Sequence, residues 1–350
     1  MKGKQFIRWA GAVVAILVFL VILGGYTVLK TPQFHRYVLA KIIEQVQRTT
    51  GGKLEVENWD FHISPMVVNL YGITFHGTED AEHKPLLAAE KLTVGVRARG
   101  LLRRKLQLTE VLIQHPIASF EVNPDGKTNL PTPPEKTTSA TPITVWDLAV
   151  AHTLLNHGEV YYNDQEHRCS AELYDLQTEV RFDPAATRYR GSISYHDGRL
   201  QYADYSPLPH NLDAQFSATP SGVSFHPLVY AIGSSRVSLQ GEIRNYNNPE
   251  LSGTYDILMH TQDFAAMSPR AAAAGEVRLA GKFQYANASD QPPVKALVLD
   301  GTLDSGVLHI ASPDGQIEFH RLKSEYHLAH GNLIAPRVTA DLLHGRLTAD

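Results

Sequence analysis

The stretch KLEVENWDFHISPMVVNLYGITFHG, from Lys53 to Gly77, decides the fold of this chain. Apolar residues alternate with polar ones along it, and Pro65 and Gly72 interrupt the alternation. A period of two is typical of a β-strand with one apolar face, because successive side chains point to opposite sides of the strand. The stretch therefore predicts consecutive antiparallel strands joined by short turns.

The alternation continues toward the C-terminus in two long blocks. The first runs to residue 130 and is followed by PTPPEKTTSATP at residues 131–142, where proline and threonine dominate and no apolar period remains. We interpret this segment as a linker or a long exposed loop. The second block, residues 143–350, repeats the strand-and-turn pattern. We expect it to open with a strand from Ile143 to Leu155 and to contain one helical interruption, from Ala265 to Ala274.

On the N-terminal side of the first block, the period changes to that of a helix. Thr31 and Pro32 form a plausible helix start, Phe34, Val38 and later apolar residues recur every four positions, and two glycines at 51 and 52 provide a stop. The sequence predicts a short amphipathic helix. We favour the interpretation that its apolar side caps the end of a sheet over one in which it lies along a membrane surface.

Residues Trp9–Leu29 hold no charged side chain and are long enough to cross a hydrocarbon core of about 30 Å as a helix. Lys2, Lys4 and Arg8 precede the span, so the positive-inside tendency places the N-terminus in the cytoplasm and the rest of the chain on the far side. The apolar run is longer than that of a signal peptide and leads into a helix start, which favours an uncleaved anchor over a cleaved signal. The residues that we assign to this membrane anchor include Trp9, Leu17, Phe19 and Leu29.

Composition limits the classes of function. The formal net charge of -4 lacks the excess of lysine and arginine typical of nucleic-acid binding, so no nucleic-acid partner is predicted. Cys169 is the only cysteine, which excludes an internal disulfide. With 43% apolar residues the chain can bury a core of one large or two moderate domains.

Motifs of catalysis and metal binding are missing from the sequence. Gly126-Lys127-Thr128 resembles the end of a phosphate-binding loop, but Glu121 stands where that motif needs a glycine. The 17 histidines are scattered and form no metalloprotease arrangement, so we predict neither a metal nor another cofactor. An enzyme is not expected, although a carboxylate pair in a cleft stays open as a distant alternative.

The alternation itself has two interpretations. One apolar face packed into a filled core is the ordinary outcome for any single strand. Many strands with few helices to cover them would instead leave the apolar face as the lining of a groove. Such a groove suits acyl chains, because burying each methylene contributes about 0.8 kcal/mol. The sequence alone leaves both interpretations open.

The chain resembles the AsmA-like family of bacterial envelope proteins, which act in translocation and assembly or in lipid transport. The resemblance rests on the N-terminal anchor, the helix closing at Gly51-Gly52, the stretch from Lys53 to Gly77, LLRRKLQLTEVLIQHP at residues 101–116, and Asp125-Gly126 with Asn129-Leu130-Pro131. LSGTYDI at residues 251–257 and LLHGRLTAD at residues 342–350 are similar in style.

The resemblance implies a mainly β fold. We expect a cytoplasmic N-terminus and transmembrane anchor at residues 1–30, then the amphipathic helix and a first β-sheet at residues 31–130. After the linker at residues 131–142, an elongated antiparallel β-sheet groove, taco-like and open at its C-terminal end, continues over residues 143–350. Because residues 346–350 are strand-like, we expect an open sheet edge there, either continued by a longer protein or paired with a partner.

The resemblance also implies a bacterial inner-membrane protein whose bulk is periplasmic and which serves phospholipid transport between membranes or outer-membrane biogenesis. Its expected partners are the acyl chains of phospholipid, the inner membrane and, at the C-terminal edge, an outer-membrane or periplasmic protein. The alternative is a structural assembly factor with a filled core that acts by strand pairing. We expect the groove to be lined by Trp59, Phe61, Ile63, Val68, Leu70, Val94, Val96, Phe120 and Val122.

Overall fold

In the part of the chain that the structure describes, sixteen strands form a single sheet, and two helices lie outside it. The computed structural model describes residues 32–62, 65–79, 82–96, 108–132, 146, 149–264, 273–286, 293–312, 315–342 and 345–349. Helix α1 spans Pro32–Thr50, helix α2 spans Pro293–Ala296, and a 3-10 turn covers Thr261–Phe264. The strands are β1 Lys53–His62, β2 Val67–His76, β3 Leu87–Val96, β4 Leu108–Val122, β5 His152–Asp164, β6 Cys169–Asp183, β7 Arg188–Tyr202, β8 Leu208–Thr219, β9 Gly222–Ile232, β10 Ser235–Arg244, β11 Glu250–His260, β12 Ala273–Ala286, β13 Leu297–Ser312, β14 Gly315–Ala329, β15 Asn332–Leu342 and β16 Gly345–Ala349.

Helix α1 confirms the predicted helix and its end. Gly51 adopts a φ of 78°, and its N–H donates to the carbonyl oxygen of Gln47 at 2.9 Å, which satisfies one of the last free carbonyls of the helix. A positive φ is readily adopted by glycine, and the chain turns directly into β1. The helix contacts β1, at the first edge of the sheet.

The strands follow one another across the sheet in sequence order, from β1 to β16. Each neighbouring pair is antiparallel, as predicted, except β4 and β5, which pair in parallel over Glu110–Val122 and His152–Asp164. Our expectation of antiparallel pairing throughout is therefore wrong at this junction. A parallel pair needs a connection of a dozen or more residues, and the Pro/Thr-rich segment lies in the long connection between these two strands. The sheet continues across that connection.

Other boundaries differ from the expectations. The strand expected from Ile143 begins at His152, and residues 141–145 lie outside the described part of the chain. The helix expected over Ala265–Ala274 is wrong at its C-terminal end, where β12 already begins at Ala273; residues 265–272 are not described. Alanine-rich sequence favours a helix locally, but the ladder that pairs Ala273 with Ile310 fixes an extended backbone.

Within the described residues, no helix has both the length and the apolar content that crossing a membrane requires. The predicted anchor, with Trp9, Leu17, Phe19 and Leu29, lies outside these residues.

A line of left-handed residues, which we call the seam, includes one residue in β2 and one in each strand from β4 to β7. Gly72, His115, His157, Asp175 and Asp197 have φ between 46° and 57°, and each lies where the regular pairing of its strand is interrupted. A left-handed residue turns the backbone locally, so the alternation of side chains restarts with the opposite parity. Apolar residues on both sides of the seam therefore face the same way.

Strand β6 illustrates the change of parity. Leu173 precedes the left-handed Asp175, whereas Leu176 and Val180 follow it at positions of the opposite parity. In the neighbouring strand, a Cβ added to Gly158 would meet the side chains of both Leu155 and Leu176. Positions three residues apart in β5 thus share one face, which an uninterrupted strand would not allow.

Candidate functional site

The candidate site is a continuous apolar stripe that crosses the sheet perpendicular to its strands. It consists of two neighbouring rows of residues, each joined from strand to strand by the pairing register, in which partners lie side by side on one face. The first row is Trp59, Leu70, Leu92, Ile113, Leu155, Thr178, Ile193, Ala214, Leu228, Leu239, Tyr255, Gly281, Gly301 and Tyr326. The second row is Phe61, Val68, Val94, Val111, Thr153, Val180, Gly191, Phe216, Phe225, Gly241, Gly253, Phe283, Leu299, Leu328 and Leu333.

The stripe is almost uninterrupted by polar side chains. Thr153 and Thr178, both next to the parallel junction, carry short hydroxyls, and the two tyrosines of the first row, Tyr255 and Tyr326, bond to each other. No charged residue occurs in either row. The two rows of apolar residues cross fourteen and fifteen consecutive strands, and such an apolar surface is what the lining of an apolar groove requires.

Few apolar side chains are buried, because a single sheet has no second layer to pack against it. Among the described residues, eleven apolar side chains are buried, whereas fifteen large ones are exposed. Most members of the stripe are half-buried, and Leu333 at its C-terminal end is 68% exposed. The apolar face is accessible rather than sealed into a closed core.

The opposite face of the same strands is charged. In the C-terminal half, Arg278 of β12 donates to Asp256 of β11 at 2.6 Å, and Lys323 of β14 lies 3.1 Å from Asp304 of β13. His327 completes this pattern at 2.6 Å from Asp300. Cross-strand ion pairs between exposed side chains contribute little to stability, but they keep this face solvated. The two faces therefore differ sharply in polarity.

The stripe deepens into a cavity of about 520 Å³ between strands β10 and β15. Six consecutive strands contribute to its lining, so the sheet must curl around its apolar face here. The volume lies within the range of pockets that hold small ligands. The lining is apolar apart from two tyrosines and one serine: Leu239, Tyr255, Ile257, Leu279, Phe283, Leu297, Leu299, Leu303, Ser324, Tyr326, Leu333 and Ala335.

Glycines make room for the large side chains at this cavity. The aromatic ring of Phe283 lies over Gly253 and Gly241, because a Cβ on either glycine would approach its ring. Tyr255 and Tyr326 lie over Gly301 in the same way. Adding a Cβ to Gly281 would overlap the carbonyl oxygen of Asp300. The glycines thus form a flat floor onto which aromatic rings pack.

A buried aromatic cluster continues the apolar face near the centre of the sheet. The Tyr195 hydroxyl and the Nδ1 atom of His210 are 2.9 Å apart, and the His210 ring also packs against Tyr230 with centroids 5.3 Å apart. Burial raises the pKa of Tyr195 to about 12 and lowers the pKa of His210. The cluster is therefore uncharged at neutral pH, which preserves the apolar character of this face.

The seam carries a polar network of its own. The two ring nitrogens of His115 lie 2.9 Å from Glu90 of β3 and 3.2 Å from Glu159 of β5, so one imidazole joins three strands. These hydrogen bonds raise the pKa of His115. His157 and Asp175, both left-handed, are 2.8 Å apart.

The structure places five of the predicted groove residues together at the N-terminal end of the stripe. Trp59 pairs with Leu70 in the first row, and Phe61, Val68 and Val94 are consecutive in the second. Trp59 is buried and the others are half-buried. Their predicted contact with lipid stays a prediction.

The remaining predicted groove residues are not part of these two rows. Val96 pairs with Leu108 at the end of β3, beyond a bulge. Phe120 and Val122 lie on the other side of the seam, where Phe120 pairs with Tyr162 and is 37% exposed. Ile63 lies outside the described residues.

The residues that line the C-terminal cavity are not among those predicted to line the groove. Their alternation predicts strands, but it does not reveal which strands curl or how they align. The regularly spaced glycines were the available signal. Gly241, Gly253, Gly281 and Gly301 mark positions where aromatic rings approach the backbone.

In the described part of the chain, no group of three or more histidine, cysteine, aspartate or glutamate side chains is arranged to hold a metal ion. Several histidines instead pair with one carboxylate each, as His152 does with Glu179 at 3.1 Å, and His115 bridges two. These pairs are structural cross-links on the sheet surface.

Comparison with known families agrees with this architecture. The model of the AsmA family matches residues 4–202, which is more than half of the chain and includes the sheet from β1 to β7. The comparison with curated proteins gives no match. AsmA membership connects the chain with envelope assembly or lipid transport, and the family is generally not enzymatic. The chain belongs to the AsmA family.

Proposed function

We propose that this protein is anchored in the bacterial inner membrane and carries phospholipid acyl chains along its apolar stripe, in transport between membranes or in outer-membrane biogenesis. The observation that carries the proposal is that strand pairing continues each of the two apolar rows from strand to strand across the sheet, on a face that stays half-exposed. An acyl chain lying along the stripe crosses the strands and meets apolar atoms at each step.

The energetics favour such an occupant. Each buried methylene contributes about 0.8 kcal/mol, so a chain of about ten methylenes would gain on the order of 8 kcal/mol from full burial. The gain is spread evenly, because no charged group interrupts the rows. An even surface lets a chain slide without passing a single deep minimum or a barrier of buried charge.

The N-terminal sequence supports the proposed location. Residues Trp9–Leu29 are apolar throughout and follow three basic residues, which favours a single span with a cytoplasmic N-terminus. Helix α1 begins three residues after this stretch and ends at the first strand, so the anchor would bring the start of the stripe close to the membrane. Lipid leaving the bilayer would then meet the row that begins at Trp59.

Lipid that co-purifies with the full chain would test the proposal. We would purify the chain in detergent, exchange it extensively, and quantify bound phospholipid by mass spectrometry in the wild type and in Phe61→Glu and Val94→Glu. The control, Gln215→Glu, places the same carboxylate on the exposed opposite face beside Ala214 of the stripe. We expect stoichiometric lipid in the wild type and control, and its loss in the folded stripe variants. A lipid-free folded wild type would contradict the proposal.

A second candidate function, strand pairing in outer-membrane protein assembly, is favoured by the edge strand β16. All five of its residues are exposed, Leu347 by 43%, and among the described residues it pairs only with β15. An exposed edge offers a row of free N–H and C=O groups to another strand. Leu347→Pro would remove a backbone donor there. This function predicts loss of a bound partner strand in that variant with bound lipid unchanged.

A further inference from the structure

Two tyrosines meet across the floor of the C-terminal cavity. Tyr255 of β11 and Tyr326 of β14 are three strand spacings apart, about 14 Å in a flat sheet, yet their hydroxyl oxygens are 2.5 Å apart. Gly281 and Gly301 lie between them in the same row and carry no side chains. A Cβ on Gly301 would collide with both hydroxyls, so the pair lies directly on this glycine.

The hydrogen bond between the two hydroxyls leaves one of their two O–H hydrogens unused. Each phenol carries one O–H, and a single hydrogen bond between them consumes only one of the two hydrogens. Neither hydroxyl has another partner among the residues that the structure describes. Burial and the bond to Tyr326 raise the pKa of Tyr255, so the Tyr255 hydroxyl keeps its proton at neutral pH. One phenolic hydrogen of the pair is therefore available to an acceptor that enters the cavity.

The residues that line the cavity determine which acceptor suits this phenolic hydrogen. None of the lining residues is charged, so a phosphate or a carboxylate would be desolvated without a counterion. The only other hydroxyl of the lining, on Ser324, already donates to the backbone oxygen of Glu325 at 2.9 Å. The acceptor that suits this hydrogen and this lining is therefore an uncharged carbonyl oxygen attached to an apolar chain.

We propose that the Tyr255–Tyr326 pair binds the ester carbonyl of an acyl lipid whose hydrocarbon chain occupies the cavity. This inference rests on the proposed function and adds an orientation to it. The ester lies at the glycine floor, the chain follows the leucines of β13, and the headgroup stays outside the apolar lining. An ether-linked lipid has the same chains but no carbonyl, and its ether oxygen is a weaker acceptor than a carbonyl oxygen.

A competition between ester- and ether-linked lipids tests the proposal on the full chain purified in detergent. Dipalmitoyl phosphatidylethanolamine and its dihexadecyl ether analogue would be offered in equal amounts, and the retained lipids would be quantified by mass spectrometry. A neutral hydrogen bond corresponds to about a three- to tenfold preference, which we expect for the ester lipid in the wild type.

Tyrosine-to-phenylalanine substitutions distinguish the contribution of the hydroxyls from that of the aromatic rings. In Tyr255→Phe or Tyr326→Phe alone, the remaining hydroxyl still donates, so the preference for the ester persists. The double variant Tyr255→Phe/Tyr326→Phe keeps both rings and loses both hydroxyls; we expect equal retention of the two lipids, with ether lipid retained as in the wild type. Tyr285→Phe, two residues beyond Phe283 on the same face, is the control and should keep the preference.

Equal retention of ester and ether lipid by the wild type would overturn the proposal, because the pair would then be only a structural cross-link. A preference that survives in the double variant would overturn it too, because the selecting group would lie elsewhere. Retention of neither lipid by the folded wild type would instead contradict the proposed function itself, together with this inference.

Discussion

Strands β1–β7 and strands β10–β15 carry the same apolar stripe but support it in different ways. In the first region the strands change parity at the left-handed seam, and His115 and its carboxylate partners join three strands there. In the second region the glycine rows and the overlying aromatic rings leave a cavity of about 520 Å³. The comparison teaches that the stripe is continuous because the strands pair in the register that aligns their apolar residues. The stripe forms a cavity only where glycines leave room for aromatic rings.

The largest expected effect is on lipid retention in the second region. Leu299→Glu places a carboxylate at the centre of the cavity lining, where no cation lies among the lining residues, and we expect bound lipid to fall at least tenfold. Gln284→Glu places the same charge on the exposed face of β12 and should leave retention unchanged. Mass spectrometry of the purified chain measures both. Unchanged retention in Leu299→Glu would mean that lipid binds elsewhere.

The next effect concerns the glycine floor. A Cβ at Gly281 overlaps the backbone of Asp300, so Gly281→Ala should lower the free energy of unfolding by about 1–3 kcal/mol. Nothing lies within 4 Å of a Cβ added to Gly306, so Gly306→Ala should change it by less than about 0.5 kcal/mol. Urea unfolding of the full chain in detergent gives both values. Equal stability of the two variants would contradict the role of the floor.

A similar test distinguishes the seam from ordinary strand. Asp197 has a φ of 57°, which costs a β-branched residue about 1–2 kcal/mol, so Asp197→Val should lose roughly that amount relative to Asp197→Gly. The exposed strand position Gln284 has no such constraint, and Gln284→Val should change stability by less than about 0.5 kcal/mol. The same urea titrations apply. If Asp197→Val were as stable as Asp197→Gly, the seam would not need left-handed backbone.

The smallest effect is a pH dependence at the seam. Hydrogen bonds to Glu90 and Glu159 raise the pKa of His115, so protonated His115 stabilises the fold fully below the unfolded pKa of about 6.5. This contribution is lost as the pH rises through the higher folded pKa. Because the imidazole is 37% exposed, solvent screens the interaction. The difference in the free energy of unfolding between the wild type and His115→Asn should therefore be modest at pH 5.5 and smaller at pH 8.5. A difference that grows with pH would refute the stabilising role of protonated His115.

Much of the fold followed from the sequence because a period of two is a local property. The strands, helix α1 and its end at Gly51 were predicted from neighbouring residues alone. The parallel pairing of β4 with β5 was not, since alternation carries no direction. The change of parity between Leu173 and Leu176 is visible in the sequence. It does not show which residue between them is left-handed, so the seam cannot be placed from the sequence.

The candidate site was only half predictable for a related reason. Trp59 and Phe61 could be assigned to one face from their own strand, and the structure aligns them with Leu70 and Val68. The cavity depends on the register of six strands, which brings Tyr255 and Tyr326 together from positions 71 residues apart. A local pattern does not contain that register.

Site-specific photo-crosslinking to lipid in cells tests the central claim, that one apolar stripe contacts acyl chains along the whole sheet. A photoreactive phenylalanine analogue would replace Leu70 and Ile193 in the first region and Leu299 in the second, with Ser192 and Gln284 as exposed controls on the opposite face. We predict phospholipid adducts at all three stripe positions and none at the controls. Adducts at both faces alike, or at no stripe position, would contradict the claim.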